Sequence, residues 1–561
     1  MKLISLLILL SLNWMYHPVT PRIVSVQKDI SLTSQIKDCD RTYVISHNFD
    51  LNGDTLVMPP NCILAFKGGC IENGTIEGNK TEIKADRKLL FKNVAITGDY
   101  INKTVYSEWF QLIEGGADNK DTFNAIMSLA NGDVNTDVYI QKGLYHTSVG
   151  PHGDGIRLPS GTYVHNESTI VALPSFLEKY NIITIKDVSN VTFEGGKVVG
   201  DVTSHLGNTG EWGYGIALTG AKNATVRNVF VTQCWGDGIN VQALYSDYLN
   251  KTIDGHCYNI LIDNVVCDDN RRQGMSIEGC IGIDVIRSTF SNTGMSKAIL
   301  PTAGIDIEPW FDTQVVQDIV ISECEFYNNK GGNLIAPLTT KLWELGNCKN
   351  FTIKNNTFDD YVVRFNRVRD VLFEDNTVGT EHGLLEFNQY SDISILSNTI
   401  NGKVGIYTES ESYGGIFNRN TVYGGERLSM AIEEISNNDI YGCLILREDV
   451  ECVVRDNDIH AVTSSGEYSF ICDNTKLQMY GNTIELNKPM IFRYKSHVVI
   501  YDNKFIALSE LKPACLILQT ARDSQLPEDG IIRDNALSGS SKFSVNYSAK
   551  GKYTLSNNVI L

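Results

Sequence analysis

The feature that most constrains the fold of this chain is a short phrase that recurs along its second half. In its clearest copies, alternating apolar and polar residues lead to an asparagine, which a threonine and an apolar residue follow. The spacing is about 20 residues per copy, which is typical of a parallel solenoid. We therefore predict a continuous array of coils, each burying its apolar residues against its neighbours. The asparagines are Asn356, Asn376, Asn398, Asn420, Asn438, Asn457, Asn482, Asn503, Asn535 and Asn558.

The asparagine itself indicates a tight corner in every coil. Asparagine tolerates a left-handed backbone and hydrogen-bonds its own backbone, so it suits such a bend. Asparagines stacked at equivalent corners can also form a ladder of side-chain hydrogen bonds.

Earlier coils carry the same phrase with less regular spacing, because longer segments interrupt them at 243–258, 294–302 and 311–317. Insertions that cluster on a few coils usually build a cleft on one side of a solenoid. Simple drift in loop length is the alternative explanation.

Three similar segments lie among these insertions, at 236–242, 273–278 and 303–308, and each is a glycine followed by strict apolar/polar alternation. This pattern predicts half-buried strands that stack as parallel neighbours about 4.8 Å apart. The apolar residues would point inward and the polar ones would form columns on the outer face. The outward residues are Asn240, Gln242, Ser276, Glu278, Asp306 and Glu308.

The beginning of the chain differs from the rest. Residues 1–20 contain a charged start and the apolar run Leu3–Leu12, typical of a signal peptide and short for a membrane span. We expect an N-terminal β region with opening coils at 21–106 and the solenoid at 107–561. Residues 121–131 have helical spacing with Asp121 as a candidate N-cap, and this helix would cover the open end of the solenoid.

The 13 cysteines are scattered along the chain, which predicts small core residues and not a disulfide framework or a zinc site.

A formal net charge of −18 argues against nucleic acid or an anionic membrane as a partner.

The run of coils resembles the right-handed parallel β-helix proteins of the pectate-lyase and polygalacturonase superfamily. The resemblance rests on the asparagine corner, the Gly-x-Gly-Ile coils and the helix followed by 138–145. The segments at 66–69 and 108–110 resemble the start of secreted β-helix proteins of gut Bacteroidetes. The resemblance implies an all-β, single-stranded right-handed parallel β-helix with a small N-terminal β region and a capping helix. It also implies a protein that cleaves or modifies polysaccharides. The polygalacturonase signature is only partly matched, because a single aspartate, Asp237, lies where that family has a pair.

Glycoside hydrolysis needs one carboxylic acid and one carboxylate. Asp237, Glu278, Asp306 and Glu308 can supply such a pair, and crowding of like charges raises at least one pKa, as a general acid requires. A merely solvated acidic face is the alternative for these residues. Strand spacing alone does not choose between retaining and inverting chemistry.

Residues around the acids are candidates for binding substrate. Arginines can bind a uronate or sulfate, act in β-elimination or pair with nearby acids, and tryptophans can stack on sugar rings or pack in the core. A loop histidine can act as acid or base, and two later residues extend the outer columns into further subsites. The candidates are Arg271, Arg272, Trp235, Trp310, Asn240, Gln242, His205, Arg364 and Glu386.

The sequence thus predicts a secreted polysaccharide-degrading enzyme, a glycoside hydrolase that uses paired carboxylates on the outer face. A lyase acting on a uronate-containing glycan and a non-catalytic carbohydrate-binding β-helix are the alternatives. We predict an oligo- or polysaccharide partner, no nucleic acid, no integral membrane association and an undetermined oligomeric state. We predict no cofactor and no metal site; a calcium ion among the acids is the open alternative, although no motif supports it.

Overall fold

A computed structural model describes residues 22–561 apart from 133, 151–154, 248, 409–411, 448, 465–466, 494–495, 509–515, 519–528, 540–544 and 548–551. The predicted signal peptide at 1–20 lies outside the described residues. The chain forms two compact units, one from 22–112 with 121–139 and the other from 113–120 with 140–561.

The smaller unit is built mainly of short parallel strands. The helix predicted from residue 121 is present as Lys120–Ser128, with Asp121 in its first turn and Phe123 and Ile126 among its buried residues. The short helices are Leu32–Gln35 and the 3-10 turn Ser107–Trp109. The strands are Arg22–Ser25, Arg41–Ile45, Phe49–Asp50, Thr55–Val57, Ile63–Phe66, Ile71–Lys84, Phe91–Tyr100, Thr104–Tyr106 and Thr136–Ile140.

The larger unit winds as a right-handed parallel β-helix, which confirms the predicted fold class. Each early coil contributes one strand to each of three parallel faces. The first face contains Ile156–Arg157, Lys179–Lys186, Trp212–Thr219, Asp237–Gln242, Gln273–Ile277, Ala303–Ile307 and Gly332–Pro337. The second contains Thr162–Asn166, Ser189–Glu194, Lys222–Arg227, Cys257–Asp263, Cys280–Ile286, Val316–Ser322 and Cys348–Lys354. The third contains Leu144–Thr147, Thr169–Ala172, Lys197–Val199, Phe230–Thr232, Val266–Asp268, Thr289–Ser291, Glu325–Tyr327 and Thr357–Phe358.

Later coils continue the same faces, and several of their strands run across two faces. They are Val363–Glu374, Thr377–Leu396, Thr399–Tyr407, Tyr413–Asn418, Thr421–Met430, Glu434–Ser436, Asp439–Leu446, Glu451–Arg455, Asp458–Ala461, Phe470–Asp473, Lys476–Tyr480, Thr483–Leu486, Met490–Arg493, His497–Tyr501, Lys504–Ala507, Leu516–Leu518, Asp529–Arg533, Ala536–Gly539, Val545–Tyr547, Lys552–Ser556 and Val559–Ile560. Two insertions form structure of their own, the antiparallel hairpin Leu244–Asp247 with Thr252–Gly255 and the helix Thr340–Leu345.

Like residues stack in columns inside the coils. Phe290, Phe326 and Phe358 have ring centroids 5.3 and 4.8 Å apart. None of the described cysteines forms a disulfide bond, and all of them except Cys39 are buried. As predicted, they act as small core residues.

The ten asparagines form an unbroken ladder. From Asn356 to Asn558, each side-chain amide donates to the side-chain oxygen of the next asparagine at 2.8–3.2 Å. The prediction of a left-handed asparagine at the corner was wrong by one residue, because the preceding residue takes that conformation, as at Asp375 (φ 53°) before Asn376. The ladder asparagine points inward and satisfies buried backbone groups.

Candidate functional site

Three neighbouring strands of the first face bring the predicted acids together. Asp237–Gln242, Gln273–Ile277 and Ala303–Ile307 are consecutive parallel neighbours. Asn240, Ser276 and Asp306 share one register position, as predicted. Glu278 and Glu308 follow the second and third strands and therefore also lie on adjacent levels, about 4.8 Å apart along the stack.

Four of the six column residues are buried and the other two, Gln242 and Glu308, are half-buried, which corrects the expectation of an open outer face. Asn240, Ser276 and Asp306 are at most 1% exposed and Glu278 is 7% exposed. Insertions lie over this face: Tyr245 of the hairpin packs edge-on against Phe311 at 5.5 Å, and both line a cleft with Glu278. A solvated acidic face therefore does not describe these residues.

Arg272 is the centre of the acid cluster. One terminal nitrogen, Nη1, donates to Asp237 at 3.1 Å, and the other, Nη2, lies 2.7 Å from Glu308 Oε1. The Nε lies 3.4 Å from Glu211. The side chain is only 3% exposed. Arg272 therefore organises carboxylates from separate strands, and these ion pairs occupy the guanidinium that was predicted to bind substrate.

Three other predicted binding residues form a buried stack instead. The Trp235 ring lies between the His205 ring, 3.7 Å away between centroids, and the Arg271 guanidinium, 3.7 Å from the ring centre. Arg271 donates to the carbonyls of Gly210 and Lys297, and the Nδ1 of His205 lies 2.9 Å from Asp201. All three side chains are buried in this packing, so the structure gives no direct support for their contact with substrate, which stays a prediction.

A cleft of about 260 Å³ opens beside Glu278. Its walls are mostly aromatic, and the predicted residues Gln242 and Trp310 line it together with Glu278. Trp310 is 53% exposed, so its ring face is available to a ligand. Aromatic walls with a few polar groups suit the apolar faces and hydroxyls of a sugar. The other lining residues are Lys179, Trp212, Tyr214, Tyr245 and Phe311.

Glu278 has the properties of a general acid. Asn240 donates a hydrogen bond of 2.7 Å to its Oε1. Burial, followed by the charges of Glu308 and Asp237, raises the pKa of Glu278 to about 8. The carboxyl is therefore mostly protonated at neutral pH while it faces the cleft.

The other three acids, Glu308, Asp237 and Asp306, differ in how many ion pairs and hydrogen bonds stabilise their charged forms. Burial raises the pKa of Glu308 to about 7, although Arg272 opposes this shift and Gln273 donates a hydrogen bond of 2.6 Å to its Oε1. Asp237 is held by Arg272 and by a hydrogen bond of 2.7 Å from Ser276, yet burial still raises its pKa. Neither oxygen of Asp306 accepts a well-formed hydrogen bond from a described residue, and burial raises its pKa well above the usual range.

The two later candidates lie further along the same face. Arg364 and Glu386 continue the register column of Asp306, two and three strands on, and pair with each other at 2.5 Å. They do not line the cleft. Their place in a more distant subsite stays a prediction.

Sequence reasoning missed Glu211, Lys179, Tyr245 and Phe311. The last two lie in or beside insertions that the irregular spacing had already marked. No comparable sequence pattern marks Glu211 or Lys179, since both precede the three similar segments at 236–242, 273–278 and 303–308.

Among the described residues, no group of three or more His, Cys, Asp or Glu side chains has the arrangement needed to hold a metal ion. No helix in the described part of the chain is long and apolar enough to cross a bilayer.

Comparison with known proteins gives weak similarities to proteins from bacteria and phage. No family model matches the chain. It is 26% identical over 303 residues to the SPbeta prophage-derived uncharacterized protein YorA of Bacillus subtilis, covering 50% of each protein. It is 24% identical over 314 residues to the uncharacterized protein YclG of the same organism, covering 52% of this chain and 53% of YclG. The chain thus spans about half the length of these curated relatives.

One solved structure similar to this chain is the N-terminal fragment of gene product 12 of bacteriophage Phi29. The TM-score is 0.40 at 11% identity, and the match covers 81% of this chain and 92% of the fragment.

Proposed function

We propose that this protein is an exported glycoside hydrolase that binds a polysaccharide across the first face of its β-helix and cleaves it in the cleft beside Glu278. The observation that carries the proposal is the position of Glu278, a buried carboxyl that opens onto an aromatic-walled cleft with further carboxylates on the adjacent strands.

In this mechanism Glu278 protonates the leaving oxygen. Glu308, paired with Arg272, activates water or attacks the sugar carbon. Burial raises the pKa of both carboxyls, and Arg272 favours the ionised form of Glu308, which suits this division of roles. Trp310 and Trp212 would stack on sugar rings, and Gln242 would bind a hydroxyl.

Lyase action is the alternative that one observation favours, because Lys179 lines the same cleft and a lysine can act as the base. β-Elimination also needs a cation to neutralise the uronate. Arg271 and Arg272 are already engaged with carbonyls and carboxylates, which argues for hydrolysis.

The test is incubation of the protein with neutral, uronate-containing and amino-sugar polysaccharides, following new reducing ends and the ultraviolet absorbance of unsaturated uronates in the same samples. We expect new reducing ends to form without any rise in the ultraviolet absorbance of unsaturated uronates. Glu278→Gln should lower the rate at least 100-fold, because it removes the acid and keeps the shape. Asp284→Asn, an exposed acid on the second face of the same coils, is the matched control and should keep wild-type activity.

Absorbance that rises with the reducing ends would instead establish a lyase. Binding without either signal would establish a carbohydrate-binding protein. Wild-type rates from Glu278→Gln would remove Glu278 from the mechanism.

A further inference from the structure

Tyr214 is a buried side chain that lines the cleft, and its hydroxyl has no hydrogen-bond partner among the described residues. It lies on the strand Trp212–Thr219, is 2% exposed and lines the cleft with Glu278. Burial, followed by the charges of Glu278 and Asp237, raises the pKa of Tyr214 well above its usual range. Its hydroxyl nevertheless makes no hydrogen bond with a described residue.

Other buried tyrosines of the same unit satisfy their hydroxyls. Tyr180 donates to Asp201, and Tyr390 donates to the carbonyl of Ala431 at 2.6 Å. Buried tyrosine hydroxyls normally have a partner, because an unpaired one loses its hydrogen bonds to water without a replacement. An unpaired hydroxyl on a residue that lines a cleft is therefore available to bond a ligand that enters the cleft.

We propose that Tyr214 is a second substrate-contacting residue of this site, whose hydroxyl donates a hydrogen bond to an oxygen of the sugar that Glu278 acts on. The proposal rests on the proposed function in taking the occupant of the cleft to be a glycan. Tyr214 and Glu278 both line the cleft and do not bond to each other, so a sugar in the cleft can contact both side chains. No proton is transferred by Tyr214; it orients the sugar and stabilises charge on its oxygen.

The test removes only the hydroxyl. With the glycan that the wild-type protein hydrolyses, Tyr214→Phe should lower kcat/KM by about 10- to 100-fold. Its Tm should equal or exceed that of the wild type, because no internal hydrogen bond is lost. Tyr390→Phe is the control: it loses the bond to Ala431, so its Tm should fall while kcat/KM stays at the wild-type value. A Tyr214→Phe protein with kcat/KM within twofold of wild type would overturn the proposal.

Binding separates this proposal from the proposed function. Glu278→Gln and the double variant Glu278→Gln/Tyr214→Phe are run by affinity electrophoresis in gels containing polygalacturonate, xylan, arabinan, galactan or chitosan. A glycan that retards the single variant should bind the double variant about tenfold more weakly, and this result supports Tyr214 even where the wild type hydrolyses nothing and the proposed function fails. Equal retardation overturns the role of Tyr214 alone. If the single variant is not retarded by any of these glycans and the wild type hydrolyses none of them, both proposals are overturned.

Discussion

Burial makes Glu278 a source of pH-dependent stability. Its pKa in the folded protein is about 8, above the value near 4.5 expected in the unfolded chain, so the folded state binds the proton more tightly. The free energy of unfolding therefore falls as the pH rises from about 4.5 to about 8. Fully ionised Glu278 costs the fold on the order of a few kcal/mol.

Glu278→Gln should remove this cost and keep the acceptor for Asn240. We expect a Tm close to wild type at pH 5 and a Tm higher by about 3 °C or more at pH 8.5. Calorimetry of both proteins at pH 5, 6.5 and 8.5 measures the difference, with Asp284→Asn as the control. A difference that shrinks as the pH rises would contradict the raised pKa of Glu278.

The pKa values of Glu278 and Glu308 predict how the activity depends on pH. The base Glu308 must be ionised, which requires a pH above about 7, and the acid Glu278 must be protonated, which requires a pH below about 8. The profile of kcat/KM should therefore be bell-shaped with its maximum between these values. Glu278→Gln should lose the alkaline limb in whatever activity remains. A maximum near pH 5 would assign the acid and base to other groups.

Arg272 should matter more for stability than an exposed arginine in a similar pair. Arg272→Gln leaves Asp237 and Glu308 buried without their counter-charge, which costs about 3–5 kcal/mol. Arg364→Gln breaks the partly exposed pair with Glu386 and should cost about 1 kcal/mol or less. Denaturant unfolding of both variants makes the comparison. Equal losses would mean that the Arg272 network contributes no more than a surface ion pair.

At the scale of the element, each corner depends on its ladder asparagine. Asn438 donates to Phe417 and Asn457, and its side-chain oxygen accepts from the backbone and the amide of Asn420. Asn438→Ala should destabilise the protein by about 3–5 kcal/mol, since it leaves buried groups unpaired. Asn437→Gly, which changes the neighbouring exposed residue and keeps its left-handed backbone, should cost less than about 1 kcal/mol. Urea unfolding of the two variants tests the contrast, and similar losses would refute a special role for the ladder position.

Alternation and spacing were sufficient to predict the strands and even the register that aligns Asn240, Ser276 and Asp306. This succeeds because a coil has one way to bury Ile239, Met275 and Ile305 against its neighbours. The covering of those strands was not predictable, because it depends on how the insertions around Tyr245 and Phe311 fold back. A strand pattern carries no information about what lies over its polar face.

At the scale of the whole molecule, three-dimensional packing decides which candidate residues meet the cleft, and the sequence alone does not reveal this. Arg272 and Trp235 differ little in sequence context from residues that bind ligands, and their roles depend on partners 26–36 residues away along the chain, such as Glu308 and Thr209. Coils that stack in register bring such residues together at distances set by strand spacing. Which of them meet the cleft and which meet each other is decided only by the three-dimensional packing.

In a solenoid, each coil contacts its neighbours alone, so a local defect should stay local. Asn438→Ala should speed amide hydrogen exchange in the coils around 415–460 and leave the exchange of 212–242 and 273–307 unchanged. Because the candidate site lies in those unchanged coils, its kcat/KM at temperatures well below the Tm should equal that of the wild type. Exchange measured by mass spectrometry on the same preparation used for kinetics tests both statements. Faster exchange across the site coils would mean that the ladder couples the whole array, and the activity would then be expected to fall with it.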